Sequence, residues 1–139
     1  MNKEDKQLLL KDLYGRSPYG VKCCVRNNHK LCGNLVGIVG ENIYIFSSGC
    51  TTFNISVIIP YLFPLSSMTE EQKEELKNLG WNFDNFEIHN VSECLGTYRE
   101  YVTHLDCSVL IDWFNKNHFD YRGLIEKGLA RDATNLNVY

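Results

Sequence analysis

No stretch of the sequence approaches the ~20 consecutive apolar residues that cross a bilayer, so the chain reads as a soluble protein without a membrane partner. The N-terminus also lacks a secretory pattern: Met1-Asn2-Lys3-Glu4-Asp5-Lys6 carries both signs of charge and leads to only three consecutive leucines. A cytoplasmic home is the expectation, and with it reduced cysteines. Cys23, Cys24, Cys32, Cys50, Cys94 and Cys107 contain no paired Cys-x2–4-Cys knuckle, so these six residues read as small hydrophobes and no metal or other cofactor is expected. His29 shares a hairpin with three of them. Adjacent Cys23 and Cys24, however, point to opposite faces of a strand, which leaves one ligand at most from that pair. Gly33, Gly37 and Gly40 lack the Gly-Lys-Ser/Thr ending and the following helix of a phosphate loop. There is no internal repeat and no low-complexity segment.

A strong charge of one sign is missing too. The net charge of −3 divides into seven Lys+Arg against four Asp+Glu over residues 1–65 and seven against thirteen over 66–139. A mildly basic first half before an acidic second half says little about partners, since solvated faces produce such imbalances.

The strand-forming residues concentrate between Gly20 and Pro64. Val21, Cys23 and Val25 alternate with Lys22, Cys24 and Arg26, which predicts a half-buried strand. Asn27-Asn28-His29-Lys30 supplies turn chemistry for a hairpin into Leu31–Val39. Glycines inside that second strand permit a bulge or sharp bend, which lets a small sheet curl. A third strand is expected over Asn42–Phe46 and a fourth over Cys50–Ile55. Val57-Ile58-Ile59 then leads to Pro60, which cannot donate to a ladder and marks a strand end or an edge. Short strands in meander order predict a small SH3-like or Sm-like antiparallel β-barrel over 20–64.

Helices flank it. Asn2 caps a first helix over 1–15, with Glu4 and Asp5 in its first turn, a stripe of Leu9, Leu10, Leu13 and Tyr14, and Gly15 at its end. Thr69-Glu70-Glu71-Gln72 reads as a capping box for an acidic surface helix that ends at Leu79-Gly80 and turns Leu76 and Leu79 inward. Residues 81–105 fit neither period and read as irregular. From Asp106, a plausible N-cap, Val109, Leu110, Trp113 and Phe114 form a helical stripe closed by Asn117; Phe119–Ile125 reads as a short helical turn before an Asn-rich tail. The fold class is α+β, with a C-terminal helical and irregular layer over 66–139 in a single domain.

The densest set of hydrogen-bonding side chains is His118, Asp120, Tyr121 and Arg122. It is either a binding site or a helix-terminus network in which Arg122 pairs with Asp120 or holds exposed carbonyls. Cys94 or Cys107 with His89, His104 or His118 would make a nucleophile pair only if the fold brought them together. Arg16, Lys22, Arg26 and Lys30 interleave with Tyr14, Tyr19, Tyr44 and Phe46, as on surfaces that bind single-stranded nucleic acid, although such binders usually carry a stronger basic patch. The run from Val57 to Leu65 holds nine residues without a charge. Its outward members need cover, either from the helix led by Trp113 or from a second copy. Tyr61 and Phe63 therefore join the candidate binding residues, and a homodimer anchored by Phe63 is expected.

Three segments carry a resemblance: Pro18-Tyr19-Gly20-Val21-Lys22, the run Pro60 to Glu71 (PYLFPLSSMTEE) and the run Asp112 to Ala130 (DWFNKNHFDYRGLIEKGLA). With Asn2–Leu13 they resemble a family of small proteins of gut anaerobic bacteria and their phages or mobile elements, a resemblance that brings no activity with it. Where that family carries acidic, Lys and Arg side chains around Pro-Tyr-Leu, this chain has Val57, Ile59 and Phe63, which counts against a nucleic-acid-reading surface there. The expectation is a non-enzymatic interaction module whose partner is a second copy or another protein. A barrel that binds single-stranded nucleic acid and a small enzyme built on Cys107, His118 and Asp120 are the alternatives.

Overall fold

The computed structural model describes residues 1–79, 81 and 107–139 and, for His29 and Cys107, the backbone alone. Of the irregular stretch expected over 81–105 only Trp81 is described, and it is buried; the rest of it, with Cys94, His89 and His104, and the cap expected at Asp106 lie outside the described residues. Among the described residues, no helix is long and apolar enough to cross a membrane.

Asn2 accepts a hydrogen bond from the Asp5 N–H at 2.7 Å and opens α1 (Lys3–Arg16). Its buried stripe is Leu9, Asp12, Leu13 and Arg16, the spacing of one helix face. The expected stripe is corrected at Tyr14, which is exposed, and at Gly15, which continues the helix rather than ending it. A Cβ on Gly15 would lie 3.0 Å from Asn115 Nδ2, so glycine here serves close packing.

Strands β1 (Lys22–Val25), β2 (Asn28–Val39), β3 (Asn42–Phe46), β4 (Cys50–Asn54), β5 (Ile58–Leu62) and β6 (Arg131–Asp132) form one sheet in the order β4-β3-β2-β1-β5-β6. The first five pair antiparallel, with β5 returning to lie beside β1. β6 then adds in parallel, Tyr61 opposite Arg131 and Leu62 opposite Asp132. Among the described residues the expected antiparallel barrel is instead a mixed, six-stranded sheet within an α+β fold, and no pairing closes it. The added strand comes from the tail, where two residues give no periodicity to read.

Glycine does bend β2. Its register against β3 shifts between Leu35 and Gly37, leaving Val36 as a bulge. A Cβ on Gly33 would sit 2.4 Å from the Phe46 carbonyl oxygen, so only glycine admits β3 at that point. Pro60 lies inside β5 rather than at its end or on the sheet's edge. The Arg26 N–H donates to Val57 O at 2.8 Å, and antiparallel alternation then makes Cys23 opposite Pro60 a pair without hydrogen bonds. The missing donor of Pro60 faces away from β1, just ahead of the two residues that β6 reaches.

One apolar cluster joins Leu9 and Leu13 of α1 to Cys23, Leu35, Ile43, Ile45, Ile58 and Leu62 of the sheet and to Val21 and Ile55 just outside its strands, closed by Leu124 and Leu129. The other face of β1 is covered as well: Cys24 packs with Tyr61 and Ala133 under the C-terminal tail. A third cluster lies between α2 (Glu70–Asn78) and α3 (Cys107–Lys116), where Leu76, Trp81, Leu110, Trp113 and Phe114 meet Phe119 and Tyr121. Thr69 and Gln72 make the expected capping box. Leu79 and Val109, expected to face inward, are exposed.

Candidate functional site

The four residues singled out from 118 to 122 follow directly on α3. That helix stops in a Schellman arrangement: Phe119 N–H donates to Phe114 O at 2.9 Å and His118 N–H to Asn115 O at 3.2 Å. The residue in the left-handed position is His118, with φ of 58°. Glycine usually fills this position, and a side chain there costs roughly 1–2 kcal/mol. The rings of Phe114 and Phe119 pack edge to face at 6.4 Å and fix the turn. Phe63 then docks alongside, its N–H donating to His118 O at 2.9 Å and its carbonyl accepting from Asp120 N–H at 2.8 Å.

Beneath this turn is a buried ionic joint. Arg16 is fully buried and holds Asp12 with two bonds, Nε to Oδ2 at 2.6 Å and Nη2 to Oδ1 at 3.0 Å. Its Nη2 also donates to Phe119 O at 2.7 Å and its Nη1 to Phe114 O at 3.5 Å. The fork of donors therefore binds the carbonyls that end α3 to a carboxylate of α1. Arg122 approaches the same carboxylate, Nε to Oδ1 at 3.4 Å, and donates to the Tyr121 hydroxyl at 2.9 Å. That hydroxyl donates in turn to Asn115 Oδ1 at 3.0 Å, and both guanidinium groups lie over the Tyr121 ring. Arg122 pairs with Asp12, so the expected Arg122–Asp120 pair is corrected: the Asp120 carboxylate instead accepts from Leu124 N–H at 2.9 Å and Ile125 N–H at 2.7 Å. Burial pushes the Asp120 carboxyl upward in pKa, opposed by those two donors. Sequence reasoning missed Asp12 and Asn115 and read Arg16 as a surface cation. The available signal was the i, i+4 Asp–Arg pair in phase with Leu9 and Leu13.

Tyr61, Phe63 and His118 gather elsewhere, around the chain's last residue. The Tyr139 ring stacks on His118 at 4.2 Å and meets Phe63 at 5.7 Å, while its hydroxyl donates to Tyr61 O at 2.7 Å. The Lys22 side chain donates to Val138 O at 2.6 Å. The tail thereby straps the outer face of β5 and, with Phe63, lines an open concavity of about 370 Å³. Burial, with help from the Arg16 charge, lowers the His118 pKa to about 4, so the ring is neutral at pH 7.

Chemically, these groups hold parts of the chain together. His118 and Asp120 do not converge: one ring stacks on Tyr139, and the other side chain is saturated by backbone donors. The Cys107 side chain lies outside the described residues. Nor do the interleaved cations form one solvated patch, since Arg16 is buried, Lys22 holds the tail and Arg26 donates to Gly128 O at 2.8 Å. Lys30, Tyr14 and Phe46 remain exposed. Compared with protein-family models, curated proteins and solved structures, the chain finds no match.

Proposed function

We propose that the chain is a non-enzymatic interaction module built on an SH3-like or Sm-like sheet, and that it pairs with a second copy of itself along β4. A four-strand meander, a 3-10 turn at Ile55–Val57 and a fifth strand returning to the first support the fold reading. The observation that carries the pairing is the edge of β4, which no strand pairs among the described residues. Ile55 N–H donates to Glu41 O at 2.8 Å, so alternation turns the backbone groups of Thr51 and Phe53 toward β3 and those of Cys50, Thr52 and Asn54 outward. This strand has neither a charged residue nor a proline, the usual devices that blunt an edge. Antiparallel pairing about Thr52 is self-complementary, with Thr52 facing itself and Cys50 facing Asn54 across a two-fold axis. The expected anchor, Phe63, is already packed by Tyr139 and Phe119, so this pairing does not use it.

Light scattering at micromolar concentration tests the reading on the wild type, Thr52→Pro and Phe63→Arg. A dimer is expected that Thr52→Pro converts to monomer with unchanged circular dichroism, because proline is tolerated where an edge N–H faces solvent. A wild-type monomer, or a dimer indifferent to Thr52→Pro, overturns it; loss with Phe63→Arg alone would move the interface to Phe63.

A further inference from the structure

Strands β1 and β2 set Cys24 directly opposite Cys32. Leu35 N–H donates to Val21 O at 2.9 Å across this ladder, whereas Arg26 N–H donates to Val57 O at 2.8 Å across the next. Alternation therefore turns the backbone of Cys24 toward β5, and its pair with Cys32 is the kind without hydrogen bonds, with Cα atoms ~4.5 Å apart and side chains at their closest. A disulfide spans roughly 4.4–6.8 Å between Cα atoms, so the register is compatible with one. Both side chains belong to the face that Tyr61 and Ala133 cover, while Cys23 packs in the opposite cluster. The Tyr61 hydroxyl lies 3.7 Å from Cys32 Sγ. Cys24 is buried and Cys32 half-buried, so solvent reaches the pair through Cys32.

The geometry points to Cys24 and Cys32 as a reversible dithiol–disulfide modification site that reacts with low-molecular-weight disulfides. The Cys32 thiolate attacks one sulfur of the small disulfide; that S–S bond breaks, a small thiolate leaves and takes up a proton, and Cys32 carries a mixed disulfide. Cys24, after losing its proton to solvent, attacks Cys32 Sγ. The protein S–S bond forms and a second small thiol departs. The dithiol has then given up two electrons and two protons, and the oxidant has become two thiols. Burial raises the Cys24 pKa, with the Tyr61 hydroxyl opposing, which favours half-buried Cys32 as the thiol that attacks the small disulfide first. The half-buried Cys32 sulfur keeps the bond open to reduction by small thiols.

The test uses the full chain in glutathione disulfide and reduced glutathione at graded ratios, quenched by alkylation and read by intact mass and tryptic mapping. The expected product has lost about 2 Da without a glutathione adduct, and its peptides beginning after Lys22 and after Lys30 are linked. The link persists in Cys23→Ser, disappears in Cys24→Ala and Cys32→Ser, and is reversed by dithiothreitol. Cys24→Ala is then expected to stop at the glutathione adduct on Cys32. Full alkylation of both cysteines at every ratio overturns the proposal, as does a wild-type adduct that never resolves or a link that survives Cys24→Ala.

Discussion

Replacing Arg16 by methionine removes a charge while keeping most of the side chain's volume, and so isolates the ionic joint between α1 and α3. In the variant, the Asp12 carboxylate stays fully buried with only Arg122 Nε, 3.4 Å away, to compensate it. The Phe119 carbonyl also loses its 2.7 Å donor. Breaking a buried ion pair from one side costs about 3–5 kcal/mol, a large share of the ~5–15 kcal/mol that holds a domain of this size folded. Asp12→Leu should cost a similar amount, since it strands Arg16 instead. The double variant Asp12→Leu/Arg16→Met should be less damaging than either single, leaving chiefly the loss of the charged donor to Phe119 O, which still accepts from Tyr121 N–H at 3.1 Å, at about 1.5–3 kcal/mol. Urea unfolding followed by the fluorescence of Trp81 and Trp113 reads all four proteins, with an unchanged slope showing that the same surface is exposed on unfolding. Single variants that each cost less than about 1 kcal/mol would place the pair in the range of exposed salt bridges and refute the joint. Additive singles would refute it too, because groups in one network must couple.

Three further outcomes follow from the same region. Folded His118 titrates near pH 4 and an ordinary histidine near 6.5, so between those values the unfolded chain binds more protons and stability falls as the pH falls. The ring is partly open to water, which limits the loss to about 1–2 kcal/mol. His118→Asn, which tolerates the left-handed backbone, should flatten that part of the denaturation profile, and an unchanged slope would refute the assignment; Asp120, whose pKa burial raises, acts in the opposite sense at the acid end. Trp113→Ala should cost about 3–5 kcal/mol as a cavity opens, because Trp113 stacks on Phe119 at 5.6 Å and donates to Glu75 Oε2 at 3.1 Å. Arg122→Ala should remain folded, since Arg16 still neutralises Asp12, and melting temperatures in the reverse order would contradict this placement of the core.

The elements that were legible in the sequence have short-range causes. Asn2 and Thr69 cap helices through bonds three residues long, and β3 follows from five residues of alternation between two turns. What was not legible depends on distant partners. Asp12 and Arg16 look like a solvated i, i+4 pair until α3 is laid over them, since charged residues are almost never fully buried unless paired. Pro60 looked like an edge residue because proline cannot donate, yet a central strand admits it where the neighbouring strand does not reach. The cluster at 118–122 was found as a cluster but misread in its pairing. Asp120 lies nearest Arg122 in sequence, while the carboxylate that Arg122 meets is on the first helix.

The placement of the polar groups also limits where a partner can act. A buried ion pair is weak evidence for stability, because desolvation offsets most of its attraction. What the Asp12–Arg16 pair supplies is definition: one guanidinium can reach the Asp12 carboxylate and the Phe119 carbonyl together only when α1 and the end of α3 meet at one angle. Phe63 is fixed to that same end through His118 and Asp120, and β6 with the tail closes the sheet beyond β5. One side of the sheet is therefore committed to the chain's own helices and tail. Among the described residues, backbone donors and acceptors that no strand pairs remain on the opposite edge, at Cys50, Thr52 and Asn54. Thr52→Pro is for that reason the sharper dimer test and Phe63→Arg its control: the first alters only a group facing outward, whereas the second disturbs the seam that positions the tail.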